Sequence, residues 1–580
     1  MEKYFECMKL ISYSEVFGKK ASSDEIQQFI SQVSSLQAVE LLSYQLCRYT
    51  GRKNNEDFAG RYIFMPWLLK VSNETQQSIL KYFKRFSSNC MFIDKYALLS
   101  CIDHILSSLK GTEVQNTELD KNQFTALLKL YLSCCDERVS QLTYPSVKNI
   151  TDNVSALTLY LPVQMKINDI EYHRDYRVEF IKIYELMRFC NNDESFHSYL
   201  NLFIDKKKLV GWSEYLYFIF STYLECVTAK DGPVNKIIAL DKSSEDYFDI
   251  LSVDFNHYEK SKDFVCMRSR PVVKTTEKTY TVAFFNFLVD KLYQGFLFDF
   301  ASTLSSCVTN MNYGRLKSEL GENFAEHYLF YSVINGCFHR QFQISYSGTE
   351  MKQYLSDGEP DYYLRRSNRI VLFEFKDVTL DSETKHCDDF NRISHELREL
   401  FVETTVDKRT GKALTKPKKK GVSQLADTIQ NKLPLILNNI DSVQIGNIQV
   451  FPIIVYQDIN FDIEGVNYII NKDFTEMIKN KKLDKKYSIK PIVMIPLYLL
   501  IQLEDFFANN RLKLTTLINQ YINKIESSDK KTMMTFSNFL YEEAIKKGYN
   551  YKKTERFQFC IDELKQNSLT PFSNPLSCND

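Results

Sequence analysis

Two acidic residues and one lysine in the third quarter of the chain have the types and spacing for hydrolytic chemistry. Asp361 follows Pro360, and after twelve intervening residues the sequence reads Glu374, Phe375 and Lys376. Adjacent carboxylates repel each other unless a cation lies between them. Oxygen ligands with open water positions suit Mg²⁺ or Mn²⁺, and a bound metal lowers the pKa of its water. This pattern predicts a metal-dependent site that hydrolyses a phosphate ester.

A β-hairpin is the element that could bring these side chains together. Residues 360–366 and 369–375 are rich in residues that favour strands, and Ser367-Asn368 between them predicts a tight turn. A hairpin of this kind places the first residue of one strand beside the last residues of the other.

Within that hairpin, side chains alternate between the two faces of a strand, and this alternation predicts which residues share a face. Glu374 and Lys376 are two apart, so they point to the same side, while Phe375 points into the core. Lys376 could then orient a water or stabilise charge in the transition state. The backbone carbonyl of Phe375 could add a metal ligand. The alternative is structural: Glu374 and Lys376 form an ion pair at a strand end, and Asp361 caps a turn.

Elements on either side of the hairpin complete a predicted α/β sandwich. Residues 315–336 have helical spacing, and Asn335-Gly336 predicts the end of that helix. Residues 342–346 alternate like a strand, and 422–437 have helical spacing. The almost wholly apolar segment 448–456 suits a buried strand of a mixed or parallel sheet. The order is therefore helix, three strands, helix, strand.

This stretch resembles the PD-(D/E)xK nuclease superfamily, which has the restriction-endonuclease-like fold. The residues that match are Pro360, Asp361, Glu374 and Lys376, in the E-x-K variant of the motif, and the order of elements matches as well. The resemblance covers residues 316 to 456, about a quarter of the chain.

The resemblance also implies a glutamate on the helix before the sheet and a glutamine on the helix after it. Glu322 and Glu326 share one helix face, and Glu326 is favoured because it lies deeper in the apolar pattern. Gln424 is the corresponding glutamine. The implied metal ligands are Asp361, Glu374, Glu326 and the Phe375 carbonyl.

The function that the resemblance implies is a Mg²⁺-dependent endonuclease, with Mn²⁺ as a possible substitute, that hydrolyses phosphodiester bonds in DNA. A large helical module joined to such a core is similar to bacterial restriction or anti-phage effectors. Double-strand cleavage would favour a homodimer. Two alternatives stay open: a nuclease that acts on RNA, and a non-catalytic scaffold that binds nucleic acid or protein.

Basic residues near the motif could contact a phosphate backbone. The segment 407–421 is predicted to be a loop and contains, among others, Lys412, Lys416, Lys418, Lys419 and Lys420. Arg365, Arg366 and Arg369 surround the hairpin turn. For both groups the alternative is an ordinary solvated surface.

Composition limits the class of protein. Lys plus Arg and Asp plus Glu both number 73, and this neutral balance argues against a protein that coats nucleic acid non-specifically. The 14 cysteines include no CxxC or zinc spacing, so buried thiols in a reducing cytosol are expected.

The predicted fold class is α+β and multidomain. A mostly helical region, 1–265, would recognise a partner or trigger. Residues 266–315 connect it to the nuclease-like αβββαβ core at 316–460, and a mainly helical extension, 461–580, packs on that core.

Neither a secretory signal nor a membrane span is predicted. The longest uncharged apolar stretch, Pro491 to Leu503, is shorter than the roughly 20 residues that a bilayer requires, and reads as a strand entering a helix. The expected location is the cytoplasm.

Overall fold

Helices make up most of the protein, and several small sheets accompany them, so the chain has a mixed α+β fold. The computed structural model describes residues 9–50, 56–86, 90–110, 118–142, 153–172, 174–228, 233–355, 358–406, 412–441, 446–527, 533–550 and 554–567. Lys408 and Arg409 of the basic segment lie outside the described residues.

The α-helices follow the chain in this order: Tyr13–Phe17, Ser23–Val33, Leu36–Thr50, Glu56–Leu68, Asn73–Phe86, Lys95–Ser108, Lys121–Leu142, Asn153–Glu171, Tyr176–Asn192, Glu194–Lys207, Trp212–Val227, Lys242–Leu251, Val265–Ser269, Phe285–Asp290, Gln294–Ser305, Tyr313–Leu320, Tyr331–Phe338, Gly348–Met351, Ser382–Lys385, Phe390–Phe401, Gly421–Asp427, Leu433–Leu435, Val466–Asn480, Leu497–Gln502, Glu504–Ala508, Leu514–Glu526, Phe536–Lys546 and Glu555–Asn567. Short 3₁₀ turns span Phe255–His257, Ile459–Phe461 and Leu483–Lys485, and π-helical turns span Gly321–Phe330, Thr428–Lys432 and Ile436–Ile440.

The strands are β1 (Lys9–Leu10), β2 (Cys90–Met91), β3 (Lys236–Ile238), β4 (Val272–Lys274), β5 (Thr279–Val282), β6 (Ile344–Ser347), β7 (Tyr362–Arg366), β8 (Arg369–Lys376), β9 (Glu403–Val406), β10 (Ala413–Lys419), β11 (Gln449–Tyr456), β12 (Ser488–Ile489) and β13 (Val493–Pro496).

The largest sheet is mixed, with the strand order β12-β11-β8-β7-β6. Strand β7 is antiparallel to both β6 and β8, and β8 is parallel to β11 along its whole length. The short strands β12 and β13 pair with successive parts of β11 along the same edge. The predicted hairpin is therefore present, and its turn contains Ser367 with a positive φ of 52°.

Apolar side chains cover both faces of this sheet. Phe373 and Phe375 belong to one core, whereas Ile370 and Leu372 belong to another on the opposite face. This alternation explains why β8 is apolar on both sides, as expected of a strand inside a covered sheet.

The structure contains the helix, three strands, helix and strand predicted for residues 316–456, and it adds the helix Phe390–Phe401 and the strands β9 and β10 after β8. A continuous helical segment from Tyr313 to Phe338 precedes β6, and another from Gly421 to Ile440 lies between β8 and β11.

The predicted end of the first of these helices at Gly336 is wrong, because the helix continues to Phe338. A Cβ atom at Gly336 would lie 1.8 Å from Oε1 of Glu504. Glycine is required there by the close approach of another helix, and not to end this one.

The region before residue 265 is mostly helical, as predicted, with three short strands among the described residues. A separate core fills much of it and extends to Phe287. The largest core contains residues from all four predicted regions, from Val178 through Phe296 and Phe373 to Leu564. The domain boundaries stay predictions.

The apolar stretch Pro491–Leu503 forms β13 followed by the helix Leu497–Gln502, as the sequence predicts. In the described part of the chain, no helix has the length and apolar character needed to cross a membrane.

Candidate active site

Asp361 is fixed against strand β8 by two hydrogen bonds. Its backbone N–H donates to the Phe373 carbonyl at 3.1 Å, and its Oδ2 accepts from the N–H of Phe375 at 2.6 Å. Where β7 begins, the Asp361 side chain thus accepts a hydrogen bond that a backbone carbonyl of a paired strand would otherwise accept. The N–H and C=O of one residue point to the same side of a strand, so the Phe375 carbonyl points toward Asp361.

Glu374 and Lys376 lie on one face of β8, as strand alternation predicts. Lys376 Nζ is 2.6 Å from Oε1 of Glu374. The Glu374 side chain is 2% exposed and that of Lys376 is 13% exposed. Both charged groups are therefore held largely away from bulk water.

Burial and mutual repulsion make the carboxyl groups hard to ionise. Burial, followed by repulsion from Asp361, raises the pKa of Glu374 to about 8. Burial also raises the pKa of Asp361, against the opposing effects of Lys376 and the Phe375 N–H. Burial alone would lower the pKa of Lys376, but Glu374 and Asp361 outweigh it and the pKa is raised. The lysine is therefore an ammonium beside two carboxyl groups that strongly influence each other.

Glu326 joins this cluster from the preceding helix. Burial, then repulsion from Asp361 and from Glu374, raises the pKa of Glu326 to about 8. Glu322, the other glutamate of that helix face, is exposed. Glu326 lies in the π-helical stretch Gly321–Phe330, a conformation that occurs often at functional sites.

The helix that carries Gln424 begins directly against the site. A Cβ atom at Gly421 would lie 3.5 Å from Cε of Lys376 and 3.1 Å from the carbonyl oxygen of Phe401. Gln424, one turn later, is half-buried. The structure therefore brings its helix to Lys376, but no hydrogen bond joins the Gln424 side chain to Lys376, Glu374 or Asp361 among the described residues.

Sequence reasoning missed Glu359, which lies two residues before Asp361. Its side chain is 11% exposed and is 3.6 Å from Nζ of Lys352. Its Oε2 is buried and has no hydrogen-bond partner in the structure. Repulsion from Glu359 contributes to the raised pKa values of Asp361 and Glu374. The GEPD sequence contains both acids, but only the fold brings Glu359 to the cluster.

Tyr331 and His327 are two further neighbours on the helix of Glu326. Nε2 of His327 is 3.5 Å from Oε1 of Glu326, and its ring is 5.5 Å from that of Tyr331. A Cβ atom at Gly348 would lie 2.9 Å from the Tyr331 hydroxyl and 3.2 Å from the Pro360 carbonyl. No motif in the sequence singles out these two residues.

Comparison with protein-family models, curated proteins and solved structures finds no match to this chain.

The residues present fit a divalent cation held by two carboxylates. Mg²⁺ commonly binds one or two carboxylates and keeps several waters, and Asp361 and Glu374 supply such a pair. Their raised pKa values indicate negative charge that lacks sufficient compensation. Within the described residues, no three or more His, Cys, Asp or Glu side chains are close enough together to hold a metal. The role of Glu326 as a third ligand stays a prediction.

The basic segment was predicted to be a loop, and the structure corrects this. Residues Ala413–Lys419 form β10, which is antiparallel to β9. Lys416 and Lys418 are exposed, and Lys419 pairs with Asp427 at 2.8 Å. Lys412 is also exposed, and Lys420 is half-buried immediately before the helix that contacts Lys376. The β9–β10 hairpin is thus a basic arm attached next to the site.

The arginines at the β7–β8 turn do not belong to this basic surface. Arg365 is buried and bonded to Asp441, with one contact of 2.8 Å. Arg366 donates to the Gln341 carbonyl, and Arg369 donates to Thr515. The turn lies about 26 Å along the strand from Lys376, at roughly 3.3 Å per residue. Both roles expected for Arg365, a phosphate contact and a solvated side chain, are wrong.

Proposed function

We propose that this chain is a metal-dependent endonuclease that hydrolyses phosphodiester bonds in DNA. One observation carries the proposal: Asp361, Glu374 and Lys376 converge at one end of the β7–β8 hairpin, with Lys376 Nζ 2.6 Å from Glu374 and Asp361 bonded to Phe375. A buried carboxyl group with a half-buried carboxyl group and a half-buried ammonium beside it at a strand end is costly unless the group has a ligand to bind.

The chain supplies both the metal ligands and the groups that act on the reacting atoms. Asp361, Glu374 and the Phe375 carbonyl would hold Mg²⁺ or Mn²⁺, which supplies an acidified water and offsets charge on the phosphate when bound. The Phe375 N–H holds the Asp361 carboxylate in position for this.

Lys376 orients the attacking water and donates a hydrogen bond to the oxygen on which negative charge develops. Its raised pKa keeps it an ammonium at neutral pH. Glu326, with a pKa raised to about 8, can carry a proton near neutral pH and exchange it with solvent water.

DNA is the proposed substrate, and the basic β9–β10 hairpin supports a nucleic acid. Its exposed lysines lie next to the helix that begins at Gly421 and contacts Lys376. Lysines so arranged attract the phosphate backbone without reading its sequence. The helical region before residue 265 would set the target or the trigger, as in restriction or anti-phage enzymes.

The direct test incubates purified protein with supercoiled plasmid DNA in Mg²⁺, Mn²⁺ or EDTA. Structured RNA is a parallel substrate. We expect nicking or linearisation of the plasmid with either metal, and none in EDTA. Cleavage of RNA but not of DNA would identify RNA as the substrate and would leave the assignment of the site residues unchanged.

The matched variants are Glu374→Gln and Lys376→Met, which keep side-chain size but remove the charge. Both should abolish cleavage, whereas Glu322→Gln, on the exposed part of the same helix as Glu326, should not. Cleavage that survives both site substitutions would overturn the assignment.

The alternative of a non-catalytic scaffold makes a different prediction for metal binding. A structural Glu374–Lys376 pair would bind no cation, so calorimetry with Mn²⁺ would give no heat that depends on Asp361. Binding that disappears in Asp361→Asn favours the metal site even if the enzyme needs a trigger before it cuts DNA.

A further inference from the structure

The backbone of Asp361 is held by hydrogen bonds from two neighbouring segments. Its N–H donates to the Phe373 carbonyl of β8 at 3.1 Å, and its carbonyl accepts from the Gly348 N–H at 2.8 Å. Gly348 directly follows β6, so this second bond extends the pairing of β6 with β7 by one residue. The position of Asp361, and with it the direction of its carboxylate, therefore depends on where Gly348 lies.

The space around Gly348 leaves no room for a side chain. A Cβ atom there would lie 2.9 Å from the Tyr331 hydroxyl, 3.2 Å from the Pro360 carbonyl oxygen and 3.4 Å from Cα of Asp361. The φ angle of Gly348 is not positive, so the backbone conformation does not require glycine. Glycine is required because both the tyrosine hydroxyl and the Pro360–Asp361 backbone come this close.

Tyr331 holds the segment that begins at Gly348. Its hydroxyl is hydrogen-bonded to the N–H and the hydroxyl of Thr349, and these contacts counteract the rise in the Tyr331 pKa that burial causes. Thr349 lies in the first turn of the short helix Gly348–Met351, where backbone N–H groups have no partner within the helix. Tyr331 thus supplies an acceptor that this turn itself lacks.

The ring of Tyr331 is packed between its own helix and the start of β7. Its centroid is 5.5 Å from that of His327 and 5.7 Å from that of Tyr362. Ring pairs at these separations are stabilising. Tyr331 follows Glu326 by five positions in one continuous helical segment. A single helix therefore brings Glu326 to the carboxylate cluster and Tyr331 to the segment that supports Asp361.

We propose that Tyr331 is a positioning residue for the metal site: its hydroxyl fixes Thr349 and Gly348, and Gly348 fixes Asp361. This role rests on the proposed metal-dependent nuclease, and it belongs to a residue that touches neither metal nor substrate. Mg²⁺ requires nearly octahedral geometry with ligands at about 2.0–2.1 Å, so a small shift of one carboxylate weakens its binding. Loss of a partner that orients a metal ligand typically costs about 10- to 100-fold in metal affinity.

Calorimetry with Mn²⁺ on the full chain measures this role independently of cleavage. Tyr331→Phe should weaken Mn²⁺ binding by about 10-fold, because Thr349 loses its acceptor. Tyr362→Phe is the matched control. It removes the same group from the residue next to Asp361, but that hydroxyl is 3.0 Å from the hydroxyl of Ser345, so the Mn²⁺ affinity should not change.

Gly348→Ala tests the close approach between Gly348 and Tyr331. The added Cβ must displace the Tyr331 hydroxyl or the Asp361 backbone, so the Mn²⁺ affinity should fall by at least about 10-fold. Adding Tyr331→Phe removes the closest contact of that Cβ, so the double variant should bind Mn²⁺ no more weakly than Gly348→Ala alone. Independent effects would instead multiply to a loss of at least about 100-fold, and that result would contradict the proposed path through Gly348.

Saturation with metal distinguishes a positioning residue from a catalytic one. Plasmid cleavage by Tyr331→Phe should be weak at low Mn²⁺ concentration and should return to that of the unaltered protein at saturating Mn²⁺. Lys376→Met should stay inactive at every concentration. Cleavage by Tyr331→Phe that stays lost at saturating Mn²⁺ would contradict a role in positioning.

Metal binding also separates failure of this role from failure of the proposed function. Equal Mn²⁺ affinity of Tyr331→Phe and the unaltered chain would overturn the positioning role and leave the metal site intact, even if the Tm of the variant fell. No binding of Mn²⁺ by the unaltered chain would refute both. Because Tyr331→Phe removes one oxygen atom and keeps the ring, this comparison does not depend on how the Gly348 variants fold.

Discussion

The carboxylate of Asp361 accepts a hydrogen bond of 2.6 Å from the backbone N–H of Phe375, 14 positions later in the chain. This bond sets the carboxylate against the strand that carries Glu374 and Lys376. Two properties of Asp361 can therefore be tested separately, because a substitution can keep its hydrogen-bond acceptor and remove its charge.

Asp361→Asn should keep the fold and lose the activity. The amide oxygen can still accept from Phe375, while the ligand charge is gone, so plasmid cleavage should fall by at least about 100-fold. Asp361→Ala should be equally inactive but less stable by about 1–3 kcal/mol, because the Phe375 N–H loses its partner. Cleavage assays and urea unfolding measure the two effects. An active Asp361→Asn protein would contradict the metal site.

The protein without metal should become less stable as the pH rises from about 4.5 to about 8. The pKa of Glu374 is raised to about 8, and Glu326 shares this value. An unfolded glutamate titrates near about 4.3. Between these values the folded state holds more protons than the unfolded state, so this contribution to stability is full at low pH and lost on the way to pH 8.

Glu374→Gln isolates this effect from other titrating groups. Relative to the variant, the Tm of the unaltered protein should fall by at least about 2 °C between pH 5.5 and pH 8. Mg²⁺ should restore more of the Tm at pH 8 than at pH 5.5, because it binds ionised carboxylates. A constant difference between the two proteins across this range would contradict the raised pKa.

The buried pair of Arg365 and Asp441 should matter for stability and not for cleavage. The Asp441 side chain is 0% exposed, and its Oδ2 also accepts from the Tyr363 hydroxyl at 2.8 Å. Asp441→Asn leaves the guanidinium without its charge partner and should cost about 3–5 kcal/mol. Arg366→Ala, at an exposed neighbour, should change the free energy of unfolding by less than about 0.5 kcal/mol. Urea unfolding gives both values, and a loss below about 1 kcal/mol for Asp441→Asn would refute the assignment.

The lysines of the β9–β10 hairpin should control affinity for DNA and its dependence on salt. Replacing Lys412, Lys416 and Lys418 with Gln should reduce the slope of log affinity against log salt by up to about 3. Cleavage at saturating DNA should stay unchanged, since these side chains lie on the arm and not in the carboxylate cluster. Fluorescence anisotropy at several salt concentrations measures the slope.

The matched control replaces three exposed lysines of the N-terminal helices, Lys81, Lys84 and Lys206, with Gln. The same change in net charge should then leave the slope within error. An equal reduction in both triple variants would mean that the hairpin has no special role.

Local patterns were sufficient to predict the β7–β8 hairpin and the facing of Glu374 and Lys376. Alternation over a few residues fixes which side chains share a face, and Ser367-Asn368 supplied the turn. The other predicted helices and strands between Tyr313 and Tyr456 followed in the same way, apart from the unpredicted pair β9 and β10.

Features that depend on distant contacts could not be predicted. Both faces of strand β10 are exposed, and both carry lysines. The strand therefore lacks the alternation of apolar and polar residues by which strands are predicted. Glu359 approaches Asp361 and Glu374 only through the path of the chain before β7. Gly336 looks like a helix stop, but its role depends on Glu504, a residue far along the sequence.

The helix Glu555–Asn567 packs on the helix Tyr176–Asn192, where Phe557 contacts Phe180 within the largest core. During synthesis, at about 5–20 residues per second, this apolar side of the helix Tyr176–Asn192 must wait many seconds for its cover. The nascent chain therefore carries an apolar helix surface until Glu555–Asn567 leaves the ribosome. Chaperones that shield such surfaces should associate with the growing chain through that interval.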